Sequence, residues 1–347
     1  MVDSPIRVGF IGAGANCRLR HIPNFKTLPG VELVAVANRT LESGERIAKE
    51  YGFGRAEDDW HKVVEAPDVD AICIGTWPNM HRELTVAALT AGKHVQCEAR
   101  IARNAAEGRE MLAASRQAPH LVAQLVPSPF TLEFDSTLAS LVSGGDLGDV
   151  LAVEVHATQP SFVDRDSPLH WRQDISLSGK NVLTMGIWYE AMLRWLGPAR
   201  RVMAMATTVV TQRKAEDGTS REVNVPDHID ILANLASGGV AHLRFSAVTG
   251  LAPAADLWIF GSDGTVRLEP ESGRLSSGRR GDKELTEVVV PAERRIGWRV
   301  EEEFVNAIRQ REEVTRTTFE DGVRYMEFTD AVARSASSGK AVDVPDL

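Results

Sequence analysis

The chain has 347 residues, 43% hydrophobic and 25% charged, a balance that excludes a disordered tail or a fibrous repeat and, at roughly 100–200 residues per domain, predicts about two domains. Its 39 Lys and Arg against 48 Asp and Glu leave a formal charge of -9, which repels nucleic-acid phosphates. No apolar run approaches the roughly 20 residues of a membrane helix, so the expected partner is a small molecule, not a nucleic acid or a membrane.

Residues 1–14 lack the basic start of a secretion signal, and their apolar stretch reads as a first strand. Residues 7–12, 32–38, 71–75, 94–97 and 121–124 are rich in Val, Ile, Leu and Phe on both faces, as strands covered on both sides require. Between them, 41–51, 60–65, 80–91 and 105–117 carry apolar residues at three- and four-residue steps. This alternation predicts an α/β domain with a doubly wound parallel sheet. Pro127 and Pro129 interrupt it, a helix is expected over 132–142, and Gly144-Gly145 opens a different texture. The expected domains are therefore 1–125 and 126–347. Downstream, 150–158, 201–212, 228–235, 240–248, 257–260 and 265–268 read as longer strands of a large open, mostly antiparallel sheet, with Ser237-Gly238-Gly239 as one of its turns. Helices are expected at 182–196, 299–311 and 321–335, and loops at the polar stretches 213–220 and 272–283. Cys17, Cys73 and Cys97 are an odd number without a CxxC pair, which suits reduced thiols in the cytoplasm rather than disulfides or a metal site.

The segment VGFIGAGANC, residues 8–17, runs a buried strand into a glycine turn. Gly12 permits the tight turn, Gly14 lets the backbone approach a pyrophosphate, and Ala15 and Asn16 open a helix whose free amides and dipole favour an anion. The third position of the pattern, usually Gly or Ala, is Cys17. The second strand ends in Asn38-Arg39-Thr40, where an acidic residue would mark NAD. No carboxylate there repels a ribose phosphate. Arg39 either pairs with that phosphate or lies solvated at a helix start, so NADP is expected over NAD, with NAD still possible.

DVDAICIGTWPNMH at 68–81 and AGKHVQCE at 91–98 resemble the Gfo/Idh/MocA oxidoreductase family. The resemblance resumes at His170-Trp171-Arg172, at Gly186, at Arg194-Trp195-Leu196-Gly197 and at Phe319-Glu320-Asp321-Gly322. It implies an N-terminal Rossmann domain, a C-terminal α/β domain with a large open sheet, homodimers or homotetramers through that sheet, and a carbohydrate-like substrate between the domains. By the same resemblance Thr76, Trp77, Asn79, His81 and Glu98 join the cofactor site, and Arg100, Trp171, Arg172 and Trp188 the substrate site. The family's Glu-Lys-Pro is here Glu98-Ala99-Arg100, and its Asp and His positions are Thr184 and Trp188, so the usual acid–base set is replaced.

Hydride transfer from an alcohol leaves a proton, and general acid–base help is worth about 10²–10⁴ in rate. The available candidates are Lys180, Tyr189, Glu190 and His170. Glu190 either works in an apolar cleft or pairs with Arg194 one helical turn on. Lys180 either reaches the site or faces solvent, and His170 is either a functional loop residue or a surface histidine. Trp77, Trp171 and Trp188 form an aromatic platform or pack as core. Three functions remain: an NAD(P)-dependent oxidoreductase acting on a sugar, glycoside or related hydroxyl compound; a net lyase or hydrolase using transient oxidation by bound cofactor; and a non-catalytic nucleotide or sugar sensor.

Overall fold

The computed structural model describes residues 4–346; the expected domain limits at 1 and 347, and the first three residues of the opening strand segment, lie outside it. The chain divides into two compact units, one holding residues up to 102, 106–127 and 299–323, the other 103–105, 128–298 and 324 onward.

In the first unit, β1 (Ile6–Ile11), β2 (Val31–Ala37), β3 (Arg55–Glu57), β4 (Ala71–Ile74), β5 (His94–Cys97) and β6 (Ala123–Leu125) make a sheet in the order β3-β2-β1-β4-β5-β6. All its pairs are parallel. Parallel neighbours need crossovers, supplied by α1 (Ile22–Thr27), α2 (Leu41–Tyr51), α3 (Trp60–Val64), α4 (Pro78–Thr90) and α5 (Ala105–Gln117). This is the expected Rossmann arrangement, with β3 added at the edge. The helix expected directly after Gly14 instead widens into a π turn, Cys17–His21, where the Ile22 amide bonds back to the Cys17 carbonyl. Pro23 accounts for the widening: it offers no N–H to the Leu19 carbonyl and its ring crowds that group.

In the second unit, α6 (Asp135–Ser143), β7 (Val150–Thr158), α7 (Ile175–Ser178) and α8 (Met185–Leu196) lead into β8 (Ala199–Thr207) and a small hairpin, β9 (Gln212–Lys214) with β10 (Ser220–Glu222). Then follow β11 (His228–Leu235), β12 (Val240–Ser246), β13 (Asp256–Gly261), β14 (Gly264–Glu269), β15 (Arg274–Arg279) and β16 (Thr286–Glu287). After α9 (Val300–Ile308) and α10 (Phe319–Ser338), β17 (Val342–Asp343) completes a nine-stranded sheet, β16-β15-β14-β13-β7-β12-β11-β8-β17. Only the β7–β12 pair is parallel. The expected loop 272–283 contains β15, whose Ser276, Ser277 and Gly278 have weak strand preference but are held by the ladder to β14. The expected loop 213–220 likewise holds strand residues of the hairpin. The strand expected to reach 212 ends at Thr207, because the Asp227 carboxylate takes the amides of Val209 and Val210 out of the ladder. One face of the sheet is apolar and buried, with Val153, Val155, Ile229, Ile231, Leu243, Phe245 and Ile259. The other carries Met203, Met205, Leu232 and Val240 exposed among charged neighbours, with Met205 76% accessible.

Residues 299–323 return to the first unit. Phe304 of α9 meets the Phe25 ring edge-on at 6.3 Å, and Phe25 meets Phe10 of β1 at 5.9 Å. Thr317 exchanges two backbone bonds of 3.0 Å with Leu125 of β6.

The order of strands reverses between β1 and β4, and their carboxyl ends are drawn together: the Gly75 amide bonds to the Ile11 carbonyl at 2.8 Å. A Cβ on Gly75 would strike both Cys17 Sγ and the Gly12 carbonyl. Overpacking at such a site typically costs about 1–3 kcal/mol, so Gly75→Ala is expected to lower the urea midpoint by that amount of stability, with the slope of the transition unchanged.

Candidate active site

In an open parallel sheet, ligands bind outside the carboxyl ends of the strands where the order reverses. Gly12 lies there at φ +81, and a Cβ on it would come within 2.7 Å of Thr76 Cγ2 and 2.8 Å of the Thr76 amide. Asn38 Oδ1 accepts the Ala13 amide at 2.8 Å, while its Nδ2 donates to Ser43 Oγ at 3.1 Å. Asn38 thus braces the glycine turn with both ends of its side chain. Beyond Gly14, the first amides of the helix at Ala15 and Asn16 have no intrahelical acceptor. Thr76 Oγ1 in the β4–α4 connection and Asn79 Oδ1 in the first turn of α4 are buried without a hydrogen-bond partner among the described residues. Trp77 is half-exposed, with the exposed Arg39 guanidinium 5.9 Å from its ring centre. His81 is buried with its ring nitrogens 3.0 Å from the carbonyls of Thr76 and Arg100. Burial holds it below the ordinary imidazole range. Arg100 is also buried.

Glu98, at the end of β5, leads to residues that sequence reasoning missed. Its Oε1 lies 2.9 Å from His21 Nε2 and accepts from Asn16 Nδ2, while its Oε2 accepts the Ala99 amide at 3.1 Å. The other ring nitrogen of His21 bonds to Glu301 of α9. Burial disfavours charge on His21, but the hydrogen bonds to Glu301 and Glu98 outweigh it and raise its pKa well above the usual imidazole value. Burial also works against the Glu98 carboxylate, yet His21 and Asn16 keep it below the usual range. The sequence signal was the spacing of His21, about one helical turn after Cys17; Glu301 gave none within its run of three glutamates.

In the second unit, His170, Trp171 and Arg172 come together at the 3₁₀ turn Trp171–Gln173. His170 Nδ1 accepts the Arg172 amide at 3.3 Å, and the Arg172 guanidinium lies 4.2 Å over the Trp171 ring. Partial burial and the Arg172 charge hold His170 below the ordinary imidazole range. Lys180 Nζ is 3.3 Å from Asp330, with 38% of its side chain exposed. The other candidates are occupied by packing. Tyr189 stacks on Phe328 at 3.7 Å and its hydroxyl accepts the Ala199 amide at 2.8 Å; burial raises its pKa. Trp188 is buried beside Phe130, 5.2 Å between ring centres. Glu190 accepts the Ser128 amide at 2.7 Å and pairs with Arg194 at 3.4 Å.

Two family models match this chain. One, described as oxidoreductase family, NAD-binding Rossmann fold, covers residues 6–124, and the other, the Gfo/Idh/MocA C-terminal domain, covers 136–267. The chain belongs to the Gfo/Idh/MocA oxidoreductase family. Within it, levoglucosan dehydrogenase of Pseudarthrobacter phenanthrenivorans is 25% identical over 98% of this chain and 97% of its own length. D-glucoside 3-dehydrogenase of Escherichia coli is 34% identical over 45% of this chain and 44% of its own. The solved structure of levoglucosan dehydrogenase in complex with NADH and L-sorbose superposes with a TM-score of 0.85 at 23% identity, over 98% of this chain and 99% of that one. Among the described residues, no helix of this Gfo/Idh/MocA protein is long and apolar enough to cross a membrane.

Arg194 stands between two buried carboxylates, 3.1 Å from Asp135 and 3.4 Å from Glu190. Removing one partner of a buried pair costs about 3–5 kcal/mol. Arg194→Met is therefore expected to destabilise the protein by that order, read by chemical denaturation, whereas Glu190→Gln costs less because its amide partner Ser128 is kept.

Proposed function

We propose that this protein is a nicotinamide-nucleotide-dependent oxidoreductase of a sugar or sugar-like alcohol. The observation that carries the reading is the glycine turn at the β1/β4 switch point, braced by Asn38 and packed against Thr76, together with the buried, unmet acceptors Thr76 Oγ1 and Asn79 Oδ1. These residues fit a dinucleotide: Gly12, Gly14, Ala15 and Asn16 receive the pyrophosphate at the helix start, and Thr76 Oγ1 and Asn79 Oδ1 accept from donors that a dinucleotide carries, its ribose hydroxyls and carboxamide N–H groups. A bound nicotinamide supplies the acceptor or donor of hydride. The sugar class is supported by the names of relatives, among them levoglucosan dehydrogenase, D-glucoside 3-dehydrogenase and inositol 2-dehydrogenase.

The proton of the alcohol goes to His170. Its imidazole is kept neutral at physiological pH by burial and Arg172, and its Nε2 makes no hydrogen bond among the described residues while Nδ1 is held by the Arg172 amide. Lys180 orients a substrate hydroxyl, and Trp171 with Arg172 offers a flat face to a sugar ring. Tyr189, Glu190 and Trp188 support the scaffold on which these groups stand. Arg39 pairs with a ribose phosphate, so NADPH is preferred over NADH. The uncovered sheet face with Met203, Met205, Leu232 and Val240 joins subunits into a homodimer or homotetramer, and three unpaired buried cysteines suit a cytoplasmic enzyme.

Fluorescence titration should find NADPH bound more tightly than NADH, and Arg39→Ala should weaken NADPH alone by about 10–100-fold, the worth of a charged hydrogen bond. Failure of both nucleotides to bind overturns the reading. In a screen of sugars, His170→Ala should lower kcat by about 10²–10⁴ with nucleotide affinity kept. Light scattering on Met205→Asp should find a smaller particle than the native protein.

A further inference from the structure

Glu98, His21 and Glu301 lie in one buried line beside the glycine turn. Both ring nitrogens of His21 face carboxylates, Nε2 at 2.9 Å from Glu98 and Nδ1 in contact with Glu301. A neutral imidazole carries a single N–H, so it would turn a lone pair toward one of these oxygens. Either the ring or a carboxyl must hold the extra proton, and the surrounding donors decide which. Asn24 Nδ2 donates to Glu301 Oε2 at 2.9 Å, Asn16 Nδ2 donates to Glu98 Oε1, and the Ala99 amide donates to Glu98 Oε2 at 3.1 Å. Donors on the outer oxygens of both groups suit ionised carboxylates, which places the proton on the ring. Three further titratable groups face the cluster: Cys17, whose thiol bonds to the Gly12 carbonyl at 3.5 Å, Cys73 behind it, and His81, which acts on Glu98.

We propose that His21 is a positioning residue: a buried imidazolium that holds Glu98 ionised and fixed in orientation, so that nucleotide binding at the glycine turn depends on a proton carried by this histidine. The proposal rests on the nucleotide reading above. Glu98 is the only member of the three with appreciable exposure, its side chain 14% accessible against 0% for His21 and 2% for Glu301, so it is the member that meets a ligand. Asn16, at the start of the helix that would receive the pyrophosphate, is tied directly to it. Loss of the ring proton doubles the net negative charge of the cluster next to an anion site and releases Glu98 from its orientation.

The sign of the pH effect follows from a raised histidine pKa. The contribution of His21 to stability and binding is complete below the free imidazole value of about 6.5 for stability, and is lost as pH rises through the higher folded value. Nitrogen NMR of the histidine-labelled full-length protein should find both ring nitrogens of His21 protonated near neutral pH. NADPH and NADH titrations between about pH 6 and 9 should be flat for the native protein across neutrality. Glu301→Gln removes one of the two partners that hold the proton, and should bring a loss of affinity down into this range. His21→Gln should bind about tenfold more weakly or worse, without pH dependence, while circular dichroism and a cooperative melt report an intact fold.

A neutral ring near neutral pH overturns the proposal. So does stoichiometric zinc in elemental analysis, since Cys17, His21 and Glu98 lie within 4.8 Å of one another and a metal would then take the place of the proton. Native affinity and an unshifted pH profile in both variants also overturn it. If His21→Gln does not fold, the pH shift of Glu301→Gln decides alone. A native protein that binds neither nucleotide while His21 is doubly protonated overturns the nucleotide reading itself, an outcome separable from the others because the ring proton is read directly.

Discussion

The close approach of β1 and β4 at their carboxyl ends governs the first unit. The Gly75 amide reaches the Ile11 carbonyl and the Gly12 amide reaches the Ala37 carbonyl, both at 2.8 Å, so three adjacent strands are tied together at the point where the chain must turn away. That leaves room for only bare backbone at Gly12 and Gly75. The sulfur of Cys17 fills the space thus left, and the departure from the usual third glycine is accommodated on the opposite strand. With Cys17 facing inward, the π turn brings His21 onto the same inward side, where it finds Glu98.

Across the same sheet runs a second polar feature in an otherwise apolar interior. The Cys73 thiol donates to Gln96 Oε1, Gln96 Nε2 donates to Gln124 Oε1 at 3.0 Å, and Gln124 Nε2 donates to Glu303 at 2.8 Å. The Glu303 carboxylate in turn accepts the amide and hydroxyl of Thr315. A buried polar chain is tolerable when each member is satisfied, and this one fixes the register of β4, β5 and β6 and docks α9 against them. Together with the Phe304–Phe25 contact it explains why residues 299–323 belong with the first unit.

Period and turn chemistry made much of this legible. The strands and helices before residue 125 carried strong apolar patterning, and the glycine turn stood in its required strand-to-helix context. The elements that escaped were those whose stability comes from elsewhere: β3 is three residues held by β2, and β15 is a serine- and glycine-rich strand held by β14. The return of 299–323 was invisible because a helix pattern does not say which sheet it covers. Among site residues, spacing pointed to Glu190 and its partner Arg194 at one helical turn, and the structure holds them together with Ser128 and Asp135. His21 and Glu301, 280 positions apart, meet only through tertiary structure.

The return segment also sets an order of events during synthesis. The six-stranded sheet is encoded before residue 126, yet the helix that covers Phe25 and supplies Glu301 emerges only after nearly the whole second unit has been made. Until then the nascent first unit presents Phe25 uncovered and His21 with a single carboxylate partner. Domains generally fold as units in the order they leave the ribosome, but here the unit that starts first waits for residues 299–323 and is completed only shortly before the second, which needs 324 onward. A chain truncated anywhere between residues 126 and 298 therefore carries every strand of the Rossmann sheet and still lacks the piece that seals it.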